Sequence, residues 1–310
     1  MRTSPILSRL VPALAVSALV LAACGSDDDS SGASSTDAAT STDAAPSTEG
    51  TNADGTTAAG DACGPTIDEG VLTIATGEPA FYPWVIDDDP SSGEGFEAAV
   101  AYAVAGEMGY DAESVVWVRT TFDEAIQPGA KNFDMNLQQY SITPERQENI
   151  DMSLPYYTSN QAIVALDGSP AEGATTVADL KDVKFGAQVG TTSLQFITDV
   201  IQPNQEPFVY DDNVGAKAAL EANQIDAAVF DLPTALYVSG VEIEGSSVVG
   251  QFPADAGGTT DQFGFVLEKD SALTSCVNDA ITTLTDSGEL DAITQEWLAD
   301  FTGAPVITVE

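Results

Sequence analysis

Arg146 stands in the segment Ser141-Ile142-Thr143-Pro144-Glu145-Arg146, in a chain with 9 Lys+Arg against 49 Asp+Glu and no His. Thr143 and Pro144 read as the N-cap and first position of a helix, which places the guanidinium in the first helical turn. A cation there opposes the helix dipole, which favours anions at that end. Free backbone N–H groups beside a guanidinium make a receptacle for a carboxylate or a phosphate. The plainer alternative is an arginine paired with one of the many surface acids. Gly190-Thr191-Thr192-Ser193 offers amides and hydroxyls as a second anion-binding helix start, or simple capping; the Gly-x4-Gly-Lys-Ser/Thr pattern of a P-loop is absent. Asp231-Leu232-Pro233 offers a carboxylate suited to an ammonium, or a helix cap. Ala80-Phe81-Tyr82-Pro83-Trp84 offers an aromatic wall, or core. An anion clamp, a lone acid and aromatic walls together match a zwitterion bearing an α-carboxylate and an α-ammonium. Each charge must be paired and hydrogen-bonded if it is to be buried, so such a site selects L-amino acids.

The elements that must position these residues alternate. Strands are expected at Val71–Thr76, Val115–Val118, Met135–Gln139, Ala162–Leu166, Lys184–Val189, Phe208–Tyr210, Ala227–Phe230, Val248–Phe252 and Gly264–Glu268. Helices are expected at Phe96–Met108, Phe122–Ile126, Pro144–Ile150, Ser193–Ile201, Val214–Ala222, Pro233–Ser239, Leu273–Thr285 and Leu290–Phe301. Alternating β and α segments with apolar strands predict α/β architecture with parallel sheets covered by helices. One internal echo, Ala130-Lys-Asn-Phe-Asp134 and Ala222-Asn-Gln-Ile-Asp226, each leads into a strand. Gln139 and Asp231 stand five residues after those aspartates, at strand carboxyl ends, where open α/β sheets bind ligands. Two such units suggest two lobes facing one cleft.

The N-terminus reads as an export signal: Arg2 and Arg9, then an apolar run from Leu10 to Ala23 that is short for a membrane span. Leu21-Ala22-Ala23-Cys24-Gly25 resembles the cleavage box of bacterial lipoproteins, implying a diacylglyceryl thioether on Cys24; an ordinary signal is the alternative. Such an anchor holds a protein at a membrane without spanning it. Residues 25–62, almost all Ser, Thr, Ala, Asp and Gly, read as a flexible stalk with a coil dimension of about 35 Å. Losing Arg2 and Arg9 leaves 7 of the 9 basic residues and all 49 acids, a net charge of −42, which repels nucleic acid and anionic lipid. Cys63 and Cys276, the remaining two of 3 cysteines, suit one disulfide in an oxidising compartment, with free thiols as the alternative. The absence of His excludes a Ser-His-Asp or Cys-His nucleophile. It also speaks, with unclustered Cys, against a transition metal. No cofactor is expected.

An ordered set of segments gives the reading a family. It comprises Gly70-Val-Leu-Thr-Ile-Ala-Thr76, Gly95-Phe96-Glu97, Ser141 to Arg146, Pro155-Tyr156-Tyr157 and Asp179-Leu-Lys181. It continues with Gly190-Thr-Thr-Ser193, Ile225-Asp-Ala-Ala-Val-Phe-Asp231, Phe263-Gly264 and Gly288-Glu-Leu290 through Trp297. The chain thereby resembles the family 3 bacterial extracellular solute-binding proteins, polar amino-acid receptors of ABC importers. The resemblance implies a type II periplasmic-binding-protein-like fold, two α/β lobes joined by two hinge strands near Tyr157–Asn160 and Thr259–Phe263, with the ligand cleft between them. It implies a signal peptide at 1–23, a lipidated linker at 24–62, lobe 1 at 63–158, lobe 2 at 159–260, and a return to lobe 1 at 261–310.

By matching position, Arg146, Ser141 and Thr192 hold the ligand carboxylate, and Asp231 with the backbone at Gln139 holds the ammonium. Phe81 and Phe122 sandwich the ligand, Gly77 and Glu78 compete for the acidic position that reads its side chain, and Gln188 and Thr191 face that side chain. Three departures bear on specificity: the loop after Thr76 is one residue longer, Gln138-Gln139 replaces small residues, and Glu97 stands where Asp is usual. Acidic surroundings and Glu78 favour a cationic or neutral polar amino acid, while Gln139 and Gln188 equally suit an amide. The expected protein is a monomer on the extracellular face of the cytoplasmic membrane, delivering a polar amino acid to an ABC permease. A dehydratase of cyclic acids on the same fold, with Glu78 as acid/base, and a sensory lipoprotein are the alternatives.

Overall fold

The computed structural model describes residues 63–258, 260–299 and 303–309. The expected leader (1–23), lipidated Cys24 and stalk (24–62) lie outside the described residues, as does Thr259 of the second expected crossover.

The first half of the described chain lays down β1 (Leu72–Gly77), α1 (Phe96–Glu107), β2 (Val115–Thr120), α2 (Phe122–Ile126), β3 (Met135–Asn136), α3 (Pro144–Asn149) and β4 (Asp151–Met152). β1 is buried along its whole length, as a central strand covered on both faces must be. α1 is alanine-rich, which favours helix, and buries Phe96, Val100, Ala101 and Val104 against it. At the start of α1 only glycine fits: Gly95 has φ 103°, and a Cβ there would lie 2.6 Å from the Trp84 carbonyl. α2 opens on a capping box between Thr121 and Glu124, satisfying two otherwise orphaned N–H groups.

β5 (Tyr157–Ser159) then leads through Asn160 alone into β6 (Gln161–Leu166). The second half adds β7 (Phe185–Gln188), α4 (Thr192–Phe196), β8 (Phe208–Tyr210), α5 (Asn213–Glu221), β9 (Ala227–Asp231), α6 (Leu232–Tyr237) and β10 (Ser246–Gln251). π-helical turns extend α4 through Ile197–Ile201 and α6 through Val238–Glu242. β11 (Asp261–Phe263), β12 (Val266–Leu267), α7 (Thr274–Ser287) and α8 (Glu289–Leu298) complete the series.

Two five-stranded sheets result, ordered β2-β1-β3-β12-β4 in lobe 1 and β10-β6-β9-β7-β8 in lobe 2, with β5 and β11 pairing antiparallel between them. Each sheet has its own core: Leu72, Ile74, Phe96, Phe265 and Val277 in the first, and Ile163, Phe185 and Phe252 on one side of the second with Leu220 and Phe230 on the other. The expectation of parallel sheets is corrected. β1 is parallel to β2 and β3, and β7 to β8 and β9, but β12 runs against β3 and β4, and β6 against β9 and β10. Parallel neighbours require a crossover, whereas β6 and β12 arrive directly from the hinge. Gln161, the first residue of β6, pairs with Asp231, the last of β9.

A second correction concerns the chain end. Residues 261–310 are expected wholly in lobe 1, yet 304–308 return to lobe 2. Gln251 N–H donates to the Pro305 carbonyl at 2.7 Å, Ile307 N–H to the Gln251 carbonyl at 2.9 Å, and Val177 N–H to the Thr308 carbonyl at 3.1 Å. Ile307, 0% exposed, completes the lobe 2 core beside Phe252, because burying an isoleucine side chain is worth about 1.5–3 kcal/mol. Cys63 and Cys276 form a disulfide with Cα atoms 5.5 Å apart, tying the start of the described chain to α7.

Candidate functional site

Thr143 caps α3, its hydroxyl oxygen accepting the Arg146 N–H at 3.2 Å, with Pro144 next. The Arg146 side chain folds back from this first turn and is 8% exposed. Its Nη1 donates to the Ser141 carbonyl at 2.6 Å and its Nη2 to the Gly190 carbonyl at 2.9 Å in the other lobe. The Phe122 ring centroid lies 5.4 Å from the guanidinium carbon, a cation–π distance, and the same ring stacks on Tyr140. Burial draws the Arg146 pKa down, opposed by Tyr140, Asp261 and Glu145. Arg119, the other arginine beyond the leader, is tied to Asp88 and the Gly77 carbonyl.

Lobe 2 meets this edge with the start of α4. Thr191 accepts the Leu194 N–H and donates to the Gln188 carbonyl, leaving the Thr192 hydroxyl 3.0 Å from that of Ser141. Asp231 ends β9 and caps α6, accepting the Thr234 N–H at 2.9 Å. Burial raises its pKa to about 6, against the stabilising bonds from Thr234.

Glu97 and Gln161 bind these parts together. Glu97, 1% exposed in the first turn of α1, accepts the Gln139 backbone N–H at 2.7 Å, the Gln139 side-chain amide at 2.6 Å and the Tyr156 hydroxyl. Burial foremost raises its pKa to about 7, and nearby Asp231 adds to the rise. Gln139 sits at φ 51°, a left-handed conformation uncommon for a residue with a Cβ. Gln161 donates to Asp261 of β11 at 2.6 Å and accepts from the Ser193 hydroxyl at 2.7 Å, so the hinge strand and the start of α4 share one amide.

Between the lobes these groups enclose a cavity of 40 Å³ lined by Ser141, Thr191, Thr192, Gln188, Asp231, Gln139, Phe81 and Phe122, together with Gln138, Gln161, Ser193, Asn213, Phe230 and Phe263. That volume holds a few waters, since the lobes touch directly. The Arg146 side chain lies just beyond it and lines an outer groove with Gly190 and Thr191. Glu78 is exposed and is absent from the cavity lining. Phe81 carries on its ring the ammonium of Lys217, 4.5 Å from the centroid. Sequence reasoning missed Glu97 as a buried clamp on Gln139; the available signal was a lone acid at the start of an otherwise apolar helix. It also missed Gln161 and Asp261, whose link depends on the hinge pairing. Among the described residues, no group of three or more His, Cys, Asp or Glu is placed to hold a metal.

Residues 72–300 match the model of the family described as bacterial extracellular solute-binding proteins, family 3. The chain is 29% identical over 229 residues to a probable histidine-binding protein of Campylobacter jejuni, covering 73% of this chain and 85% of that one. It is 26% identical to the ABC transporter glutamine-binding protein GlnH of Bacillus subtilis, covering 68% and 76%. Among solved structures, an ancestral arginine-binding protein bound to arginine superposes with a TM-score of 0.59 at 28% identity, over 73% of this chain and 97% of that one.

Proposed function

We propose that this chain, which belongs to the family 3 bacterial extracellular solute-binding proteins, binds a polar L-amino acid between its lobes and presents it to an ABC-type importer. The observation that carries this reading is a pair of opposite charges at the inter-lobe boundary, Asp231 in the cavity lining and Arg146 just beyond it. Arg146 lies at the α3 start beside Ser141 and Thr192, and Asp231 lines the cavity. In this reading the ligand carboxylate takes over the guanidinium from the Ser141 and Gly190 carbonyls, with hydroxyl donors at Ser141 and Thr192. Asp231 takes the ammonium, assisted by the backbone at Gln139. Because the ligand bridges both lobes, it favours the closed state by its differential affinity for it.

Names of the relatives support amino-acid binding, and the family is extracellular. Attachment through a lipid on Cys24, a stalk over 24–62 and a monomeric state complete the proposal. Glu97 is the group whose raised pKa most suits proton transfer. Its oxygens are held by Gln139 and Tyr156, and it does not line the cavity, so a binding role is favoured over an enzymatic one. Calorimetry of the purified protein against the twenty amino acids tests the reading. Saturable binding of at least one, without its chemical conversion by NMR, is expected; no binding, or turnover, would refute it.

A further inference from the structure

We propose that the side-chain end of the cavity reads an uncharged carboxamide, so that the preferred ligand is a neutral amide amino acid and not a cationic or anionic one. This rests on the amino-acid reading above and narrows it.

Gln188 is the main observation. It ends β7, is 7% exposed and lines the cavity; among the described residues its side-chain amide makes no hydrogen bond, while its backbone carbonyl accepts from Thr191. An amide at a cavity wall with no protein partner is open to hydrogen bonds from a ligand or from water. Gln138, in the same lining, accepts the Tyr140 hydroxyl at 3.1 Å, and among the described residues its amide nitrogen donates no hydrogen bond. Asn213, at the start of α5, adds a third amide to the lining. An amide presents two donors and two lone-pair sites on a planar group, so these side chains match the same group on a ligand in both senses.

Charge points the same way. Asp231 is the one ionisable side chain among the lining residues, and the ligand ammonium claims it. A cationic side chain would need a second acid, but Glu78 lies exposed outside the lining. Beyond Phe81 it would meet the Lys217 ammonium. An anionic side chain would need a free base, but Lys217 is bound to Glu242 at 2.8 Å behind the Phe81 ring. A buried unpaired charge is far costlier than a buried amide. A site built on hydrogen bonds rejects analogues that leave its polar groups unpaired by large factors.

Calorimetry on the full chain with glutamine, asparagine, glutamate, aspartate, lysine, arginine and alanine decides the point. Glutamine or asparagine should bind at least about tenfold more tightly than every charged member of the set. Gln188→Met should lower the ratio of amide to alanine affinity by about tenfold or more. If arginine, lysine or glutamate binds as tightly as the amides, the carboxamide assignment is overturned while the amino-acid reading stands; if no amino acid binds, both fall. An unchanged affinity ratio in a folded Gln188→Met protein also overturns the assignment, and the wild-type ranking still decides if that variant fails to fold.

Discussion

The guanidinium of Arg146, rooted in lobe 1, donates to the Gly190 carbonyl of lobe 2 at 2.9 Å. Beside it the hydroxyls of Ser141 and Thr192 meet across the same boundary at 3.0 Å. The lobes are therefore latched by the groups assigned to a ligand carboxylate. Farther along, Trp84 Nε1 donates to the Thr234 hydroxyl at 2.8 Å and Tyr82 packs on Tyr237 with ring centroids 4.5 Å apart. On the proposed reading a ligand opens this contact set to enter, and its carboxylate then replaces the carbonyl acceptors with a charged one, a stronger hydrogen-bond partner for guanidinium.

Arg146→Ala should abolish amino-acid binding, because loss of one member of a buried charge pair costs on the order of 2–5 kcal/mol. Arg146→Lys should not restore it fully, since an ammonium cannot present the planar fork. Thermal melting should show both variants folded, as removing a buried cation also removes its desolvation cost. Undiminished calorimetric affinity in Arg146→Ala would remove the clamp from the mechanism.

Binding should weaken in acid. Asp231 titrates near 6 because of burial, and only its ionised form pairs with an ammonium. Below pH 6 each unit of pH should therefore lower the affinity by up to about tenfold. Between pH 6 and 8, ionisation of Glu97 near 7 adds negative charge nearby, so affinity should rise a little further. Titrations between pH 5 and 8 on wild type and Asp231→Asn check this; a flat wild-type profile from pH 5 to 7 contradicts the assigned pairing.

Folding stability should carry its own pH signature through Glu97. Its folded-state pKa of about 7 exceeds the ordinary 4.5. Between those values the folded state holds a proton that the unfolded chain has released. Stability must then fall as pH rises through that window, by roughly 3 kcal/mol in total. Asp231 acts with the same sign between 3.8 and about 6, so wild type alone does not isolate the effect. Glu97→Gln should flatten the difference in urea midpoint between pH 5 and 8. Equal pH dependence in the two proteins would show that Glu97 ionises freely in the folded state.

Local chemistry explains why much of this was readable beforehand. Thr143 with Pro144 and the run Gly190 to Ser193 each announce a helix start, and α2 appears with its expected bounds. Ser141, Thr192, Gln188 and Asp231 could be singled out because each stands at the carboxyl end of a strand or within five residues after it. What stayed hidden depends on distant partners. β4 has two residues and β5 and β11 three each, and pairs so short leave no periodicity. Strand direction depended on β6 and β12 coming from the hinge. The burial of Glu97 becomes visible only once Tyr156 and Gln139 are folded around it.

The chain end gives the last prediction. Ile307 is fully buried in lobe 2, against Gly250 of β10, where a Cβ would stand 2.6 Å from Ile307 Cγ1. Isoleucine and glycine are thus fitted to one another across the Gln251–Pro305 and Gln251–Ile307 bonds. Ile307→Ala should destabilise by about 2–4 kcal/mol through the cavity it leaves. Gly250→Ala should destabilise separately by forcing Ile307 aside, at a cost of about 1–3 kcal/mol. The two together should cost less than their sum, because the new methyl enters the space that Ile307 vacates. A urea-denaturation double-mutant cycle measures that coupling. Strict additivity would mean that the tail does not rest against β10, and that 304–308 do not tie the last described residues to lobe 2.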